Sequence, residues 1–195
     1  MKTNLNTKDM INVGIFTALY LIVIIAVSGI VVLPILQILM MPLMALFTGP
    51  VYLLYIAKVG KRYAIIITGL LGSSIVGLLV YANVYCFLVN MLFVILAEII
   101  AGMGKYKNAK LNQLSFIVMS FWTIGEAGLP WAAGKYFYDL SISTGYSVEW
   151  ADGVDALATP LNLVLMILAV VICAMISIWF SNKMFKKHFK KAGIV

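Results

Sequence analysis

The sequence predicts an all-α integral membrane protein, a compact bundle of about six transmembrane helices with both termini cytoplasmic. Three observations carry this reading. Of 195 residues, 64% are hydrophobic and only 11% charged, where a soluble domain has roughly a quarter charged residues. The apolar residues gather in six runs near the ~20 needed to cross a bilayer. The basic and acidic residues fall in different connections, the signature of a fixed membrane orientation.

The runs cover roughly 10–32, 34–57, 63–81, 84–103, 113–134 and 159–181, within a single transmembrane domain spanning 1–195. The first follows Lys2 and Lys8 and contains Ala26-Val27-Ser28, which has the form of a signal-peptide cleavage site. Its apolar stretch from Met10 to about Val32 is long for a signal core, so it reads as a spanning helix. In the second run Pro42 predicts a kink. Gly49-Pro50 predicts an end near Thr48, followed by a short interfacial piece at Val51–Ala57.

With the N-terminus inside, thirteen of the fourteen Lys and Arg residues lie on the cytoplasmic side. They are Lys2 and Lys8; Lys58, Lys61 and Arg62; Lys105, Lys107 and Lys110; and Lys183, Lys186, Lys187, Lys190 and Lys191. Only Lys135 lies outside. Asp139, Glu149, Asp152 and Asp155 fall in the long outer loop 135–158. That loop is also rich in rings, with Tyr136, Phe137, Tyr138, Tyr146 and Trp150. Some of these suit an interfacial aromatic belt; a loop this long also suits covering an outward-facing site. The other outer turns, Gly29–Leu33 and 81–85, are short. Small residues at Gly14 and Ala18, and at Gly69, Ser73 and Gly77, allow close helix contact, either inside the bundle or with a separate membrane subunit.

Two carboxylates lie within the apolar runs, where ionisable groups are costly and usually have a role. Glu98, near the inner end of its run, reads as a partner for a nearby lysine or a helix end. Glu126 lies near the middle of the fifth run, with Trp122 one turn earlier. Gly128 and Pro130 predict a loosened helix beside it. Glu126 is either a ligand-facing carboxylate or one satisfied by neighbouring helices. Asn83, Phe87 and Asn90 share a face of the fourth run, and the two amides either bond between helices or hold a substrate. Gln37 is a weaker candidate, and Met40, Met41 and Met44 read as packing residues.

Catalytic and energy-coupling motifs are missing, which predicts a protein that is not an enzyme. Gly128–Lys135 has five residues between its glycine and its Gly-Lys pair instead of four, and Tyr136 replaces the Ser or Thr of a phosphate loop. The one histidine, His188, lies in the basic tail. Cys86 and Cys173 fall at different depths, so no disulfide is expected, and no metal site or intrinsic cofactor is either.

Several segments resemble those of a known class. They are Lys8-Asp9-Met10-Ile11-Asn12-Val13-Gly14-Ile15-Phe16-Thr17-Ala18, Thr48-Gly49-Pro50-Val51-Tyr52 with Lys58-Val59-Gly60-Lys61-Arg62, and Ala97-Glu98-Ile99-Ile100-Ala101-Gly102. Over essentially its whole length the chain resembles the substrate-binding membrane subunits, or S-components, of energy-coupling factor (ECF) transporters, and more narrowly the Trep_Strep family. The resemblance implies a subunit that captures a vitamin-like or cofactor-like small molecule at the outer face. It implies partnership with a transmembrane coupling subunit and two cytoplasmic ATPases, with ATP used by those partners, and delivery inward by toppling. It implies docking on the coupling subunit through Gly14 and Ala18, where the class often has an alanine pair. By position it implies a pocket built from Asn83, Tyr85, Asn90, Trp122, Glu126 and Trp131. Such a pocket suits a planar molecule; a heme is admissible, though without ligation by His188. Two other readings stay open: a proton-coupled secondary transporter working through Glu126, and a membrane assembly or scaffold protein.

Overall fold

A computed structural model describes residues 5–29 and 32–185. Lys2, the centre of the first turn and the tail with Lys186, Lys187, His188, Lys190 and Lys191 lie outside the described residues. Among the described residues the chain is helical throughout, with no strand. The long helices are α1 (Thr7–Ser28), α2 (Pro34–Lys58), α3 (Ala64–Ser73), α4 (Val84–Met103) and α10 (Pro160–Met184). Between α4 and α10 lie α5 (Ala109–Met119), α6 (Ile124–Ala127), α7 (Leu129–Ala132), α8 (Gly134–Ser143) and α9 (Val148–Leu157). Four helices, α1, α2, α4 and α10, are long and apolar enough to cross a membrane, and α3 with its π-helical continuation Ser74–Val80 forms a shorter apolar element.

The helix α1 starts at a reciprocal cap. The Asn6 side chain accepts from the Asp9 N–H at 2.9 Å, and the Asp9 carboxylate accepts from the Asn6 N–H at 2.8 Å. Asp9 also pairs with Lys61 at 2.5 Å, tying this end to the turn after α2. Val13, Phe16, Thr17, Tyr20, Ile24 and Val27 form its buried stripe at helical spacing. The opposite face exposes Ile11, Ile15, Ile22 and Ile25, and Gly14 and Ala18 lie on it.

The helix α2 runs unbroken through both prolines, so the expected end near Thr48 does not occur. Pro50 has no N–H to give the Leu46 carbonyl, one turn earlier. The Ser177 hydroxyl of α10 donates to that carbonyl at 2.6 Å instead. Gly49 makes the contact possible, because a Cβ there would lie 2.9 Å from the Ser177 Cβ and closer still to its hydroxyl. Gly49-Pro50 is thus the α2–α10 contact rather than a terminator.

Other interhelical bonds follow the same logic, since apolar surroundings offer no water to polar groups. The Thr17 hydroxyl bonds Thr68 at 2.9 Å, Thr68 donates to the Tyr55 hydroxyl at 3.0 Å, and Tyr55 donates to the Ala64 carbonyl at 2.6 Å. Tyr52 bonds Ser115 at 2.7 Å, and Ser115 donates to the Ala97 carbonyl at 2.6 Å. Glu98 is a helix-end group: its carboxylate accepts from the Tyr63 N–H at 2.8 Å and the Ile65 N–H at 3.2 Å, at the start of α3. It also accepts from the Tyr106 hydroxyl. Burial, reinforced by that bond, holds the Tyr106 hydroxyl above its ordinary pKa, so it remains a donor.

The fifth expected span is not one helix. After α5 the chain turns at 120–123, then forms the single-turn pieces α6 and α7. The Ser120 hydroxyl bonds back to the Phe116 carbonyl at 2.9 Å, and Gly125, Gly128 and Pro130 all disfavour continuous helix. Nor is the outer segment 135–158 an open loop: it folds into α8 and α9, with the Tyr138 hydroxyl donating to Asp152 at 2.9 Å. The two small-residue stripes part company. Gly69 meets the buried Val94 side chain of α4, and Gly77 meets the Phe87 backbone, so the stripe of α3 is internal packing. Gly14 has nothing within 4 Å of a built Cβ.

Removing the donor to the Leu46 carbonyl leaves it unpaired at a cost of about 1–3 kcal/mol. Ser177→Ala therefore lowers the melting temperature of the detergent-solubilised protein. Gly14→Ala leaves it equal or slightly higher, because Ala is the better helix former by about 1 kcal/mol.

Candidate functional site

The bundle has two chemically distinct ends. Lys61, Arg62 and Lys105 gather at one, beside the start of α1. The α8–α9 segment, with Asp139, Glu149, Asp152 and Asp155, caps the other. At this acidic end a cavity of about 580 Å³ lies between α1, α2, the π-helical segment and the turn before α6. Its volume falls within the ~300–1,000 Å³ range of small-molecule sites.

Most of the wall is aliphatic or thioether: Leu21, Ile24 and Ile25 from α1, Met40 and Met44 from α2, and Ile75, Val76 and Val80 from the π-helical turn. The polar groups are few. Glu126 is 1% exposed. Its Oε1 accepts from the Asn90 amide at 2.5 Å, and its Oε2 has no protein partner. Gln37, another lining residue and 5% exposed, carries an amide nitrogen that also lacks a partner. The hydroxyls of Ser28 and Thr123 reach only methionine sulfurs, at 4.0 and 3.9 Å. A buried donor or acceptor left unpaired costs about 1–3 kcal/mol. Two of them on residues lining one cavity point to a ligand or ordered water as the missing partner.

Local folding explains how Glu126 arrives there. The Asn90 carbonyl oxygen accepts from the Gly125 N–H at 3.1 Å, while its amide donates to Glu126, so Asn90 clasps α6 from α4. Gly125 must be glycine for this approach, since a Cβ would stand 2.6 Å from the Cys86 carbonyl oxygen. Gly77 likewise leaves room for Glu126, whose Oε1 would lie 3.3 Å from a Cβ at that position. The π-helical turn widens the backbone here, a deviation often found beside functional sites. Tyr146 joins the wall from the α8–α9 turn, where Gly145 takes φ +100°. Its ring stacks on buried Trp150 with centroids 4.1 Å apart.

The six pocket residues expected from the sequence do not all meet. Glu126 lines the cavity, and Asn90, fully buried, stands behind it. Asn83 caps α4, accepting from the N–H groups of Tyr85 and Cys86 at 2.9 and 3.3 Å. Tyr85 is 75% exposed and points away from the core. Trp122 is buried against Gly72 and the Tyr20 ring, because the turn at 120–123 takes it off the face it would share with Glu126 on a continuous helix. The Trp131 indole donates to the Thr159 carbonyl at 2.7 Å, joining α7 to the start of α10. These four do not line the cavity. Gln37 does, together with Thr123, Ser28, Tyr81 and Tyr146, which the sequence reading did not bring together. Their signal was faint: single polar residues at helix ends, joined only by the fold. Among the described residues no group of three His, Cys, Asp or Glu side chains could hold a metal ion, and Cys86 and Cys173 are free.

An apolar substitution at Gln37 removes an amide that bonds nothing, whereas one at Asn90 strands both the Gly125 N–H and Glu126. Gln37→Leu is therefore neutral or stabilising in the unliganded protein. Asn90→Leu lowers the melting temperature, with about 2–6 kcal/mol lost if both groups stay unpaired. Thermal unfolding of the two variants side by side checks this.

A protein-family model described as a hypothetical bacterial integral membrane protein, Trep_Strep, matches residues 7–191. No curated protein and no solved structure matches the chain. With nearly its full length matched and its membrane-spanning helices in place, the chain belongs to the Trep_Strep family of bacterial integral membrane proteins.

Proposed function

We propose that the chain is the substrate-binding subunit of an ECF-type importer, capturing a vitamin-like or cofactor-like molecule in the cavity beside Glu126. The observation that carries this reading is the pair of unpartnered polar atoms, Glu126 Oε2 and Gln37 Nε2, on residues that line one largely apolar cavity. Together they offer a ligand one acceptor and one donor in otherwise largely apolar surroundings. With the basic end cytoplasmic, as the positive-inside rule requires, the cavity lies near the outer membrane surface, where an import substrate is first met. Six membrane passes, counting α3 with its π-helical turn and the broken α5–α7 stretch, then put both termini inside.

Transport needs an energy source, and no nucleotide-binding motif is present in the sequence. Partner ATPases and a membrane coupling subunit supply it in this reading, and the exposed face of α1 with Gly14 and Ala18 is the docking surface. The chain itself needs neither an intrinsic cofactor nor catalytic activity. The site favours a substrate with an apolar body and one cationic or hydrogen-bond-donating group for Glu126. The solitary buried carboxylate supports a second reading, in which Glu126 carries protons in a stand-alone secondary transporter.

One purification from gently solubilised native membranes separates the two readings. A coupling subunit with two ATPases co-purifies under the first; recovery of the chain alone, transporting substrate in liposomes under a proton gradient, establishes the second. For a cationic ligand retained through purification, Glu126→Gln weakens binding tenfold or more, equivalent to about 1.4 kcal/mol. Unchanged affinity, read by calorimetry on the purified variant, removes Glu126 from the site.

A further inference from the structure

A second recess, of about 730 Å³, lies at the basic end between α3 and α4. The sequence reading treated its cations as topology signals, and the importer reading makes no use of it. We propose that this recess binds an anionic phospholipid, its phosphate held by Arg62 and Lys105 and an acyl chain lying along Ile66, Ile95 and Ile99.

Charge complementarity identifies the occupant. Arg62 and Lys105 are exposed and, among the described residues, form no ion pair. Lys61, also on the wall, is already paired with Asp9. The one carboxylate of the recess is Glu98, and both its oxygens are engaged by Tyr63, Ile65 and Tyr106. Its charge is thus engaged within the fold, while Arg62, over the Tyr63 ring at 4.8 Å, and Lys105 are exposed and have no carboxylate partner among the described residues. The apolar part has the matching shape. Ile95 and Ile99 are one turn apart on α4 and exposed, and Ile66 of α3 completes the strip. A soluble anion would use the cations and leave the isoleucines idle. A lipid uses both at once, and basic recesses between membrane helices are where anionic headgroups bind.

The frame is fixed as well. Tyr63 and Lys105 sit at φ 70° and 50°, left-handed conformations that non-glycine residues rarely adopt. The bond from the Tyr63 N–H to Glu98 helps hold the first, and the bond from the Lys105 N–H to the Gly102 carbonyl, at 2.9 Å, the second. The cations therefore project from a set backbone rather than from a loose loop.

Native mass spectrometry of the purified chain, given equal amounts of phosphatidylglycerol and phosphatidylcholine with identical acyl chains, tests the proposal. The expected result is retention of phosphatidylglycerol at least fivefold over phosphatidylcholine. That preference disappears in the Arg62→Gln/Lys105→Gln double variant. It survives in Lys107→Gln/Lys110→Gln, which loses the same charge at the same end but outside the recess. Equal uptake of the two lipids overturns the site. So does equal loss of preference in both double variants, which marks diffuse charge attraction. Displacement of the bound lipid by millimolar glycerol phosphate overturns the lipid assignment in favour of a soluble phosphate. All three outcomes are independent of the importer reading.

Discussion

The structure depends on one constraint: in surroundings without water, each backbone and side-chain polar group must find its partner within the protein. The α2–α10 contact follows from it. A proline in mid-helix frees a carbonyl, a serine on the next helix answers it, and a glycine opens the path between them. Glu98 meets the same requirement at the basic end, where the first N–H groups of α3 would otherwise be unpaired. Both devices join elements far apart in sequence, so satisfying the backbone also fixes the helix arrangement.

The cavity is one place where this constraint is relaxed. Most interhelical hydroxyls are paired over short distances, whereas among the residues lining the cavity one carboxylate oxygen and one amide nitrogen are unpaired. The surrounding elements differ too. Straight helices give way to a π-helical turn, to pieces of a single turn and to a glycine-dependent loop carrying Tyr146. Irregular backbone at this depth is tolerated where it is buried in protein or lines a cavity. Asn90 shows how the two regimes are joined: it satisfies one oxygen of Glu126 completely and leaves the other free.

Much of the helical, membrane-spanning character was legible because hydrophobic runs report on a bilayer directly. The ends of α4 and α10 fell within a few residues of expectation. What was not legible was set by contacts across the chain. Pro50 forecasts a helix end to any local reading, since Ser177 lies 127 residues away in sequence. The break at 120–123 was hidden because Phe121 and Trp122 keep the stretch apolar while Gly125 is drawn against α4. For the candidate site, Glu126 was visible as an isolated charge and Asn90 as an amide at lipid depth. Gln37 was undervalued and Tyr146 was hidden among several loop rings, because only the fold brings α2 and the α8–α9 turn to the same wall.

The π-helical turn at Ser74–Val80 has a further consequence for how such a protein changes over generations. A π-turn holds about one more residue than an α-turn of the same length, as its i→i+5 bonding requires. The extra residue is stored in the segment that carries Ile75, Val76 and Val80 and whose Gly77 packs beside Glu126. A one-residue deletion there would let the segment relax to an ordinary α-helix, rotating its side chains while the connection to α4 remained closed. Length variation that breaks most helices would here reshape the cavity and spare the scaffold, giving the family a single-step route to a differently shaped binding wall.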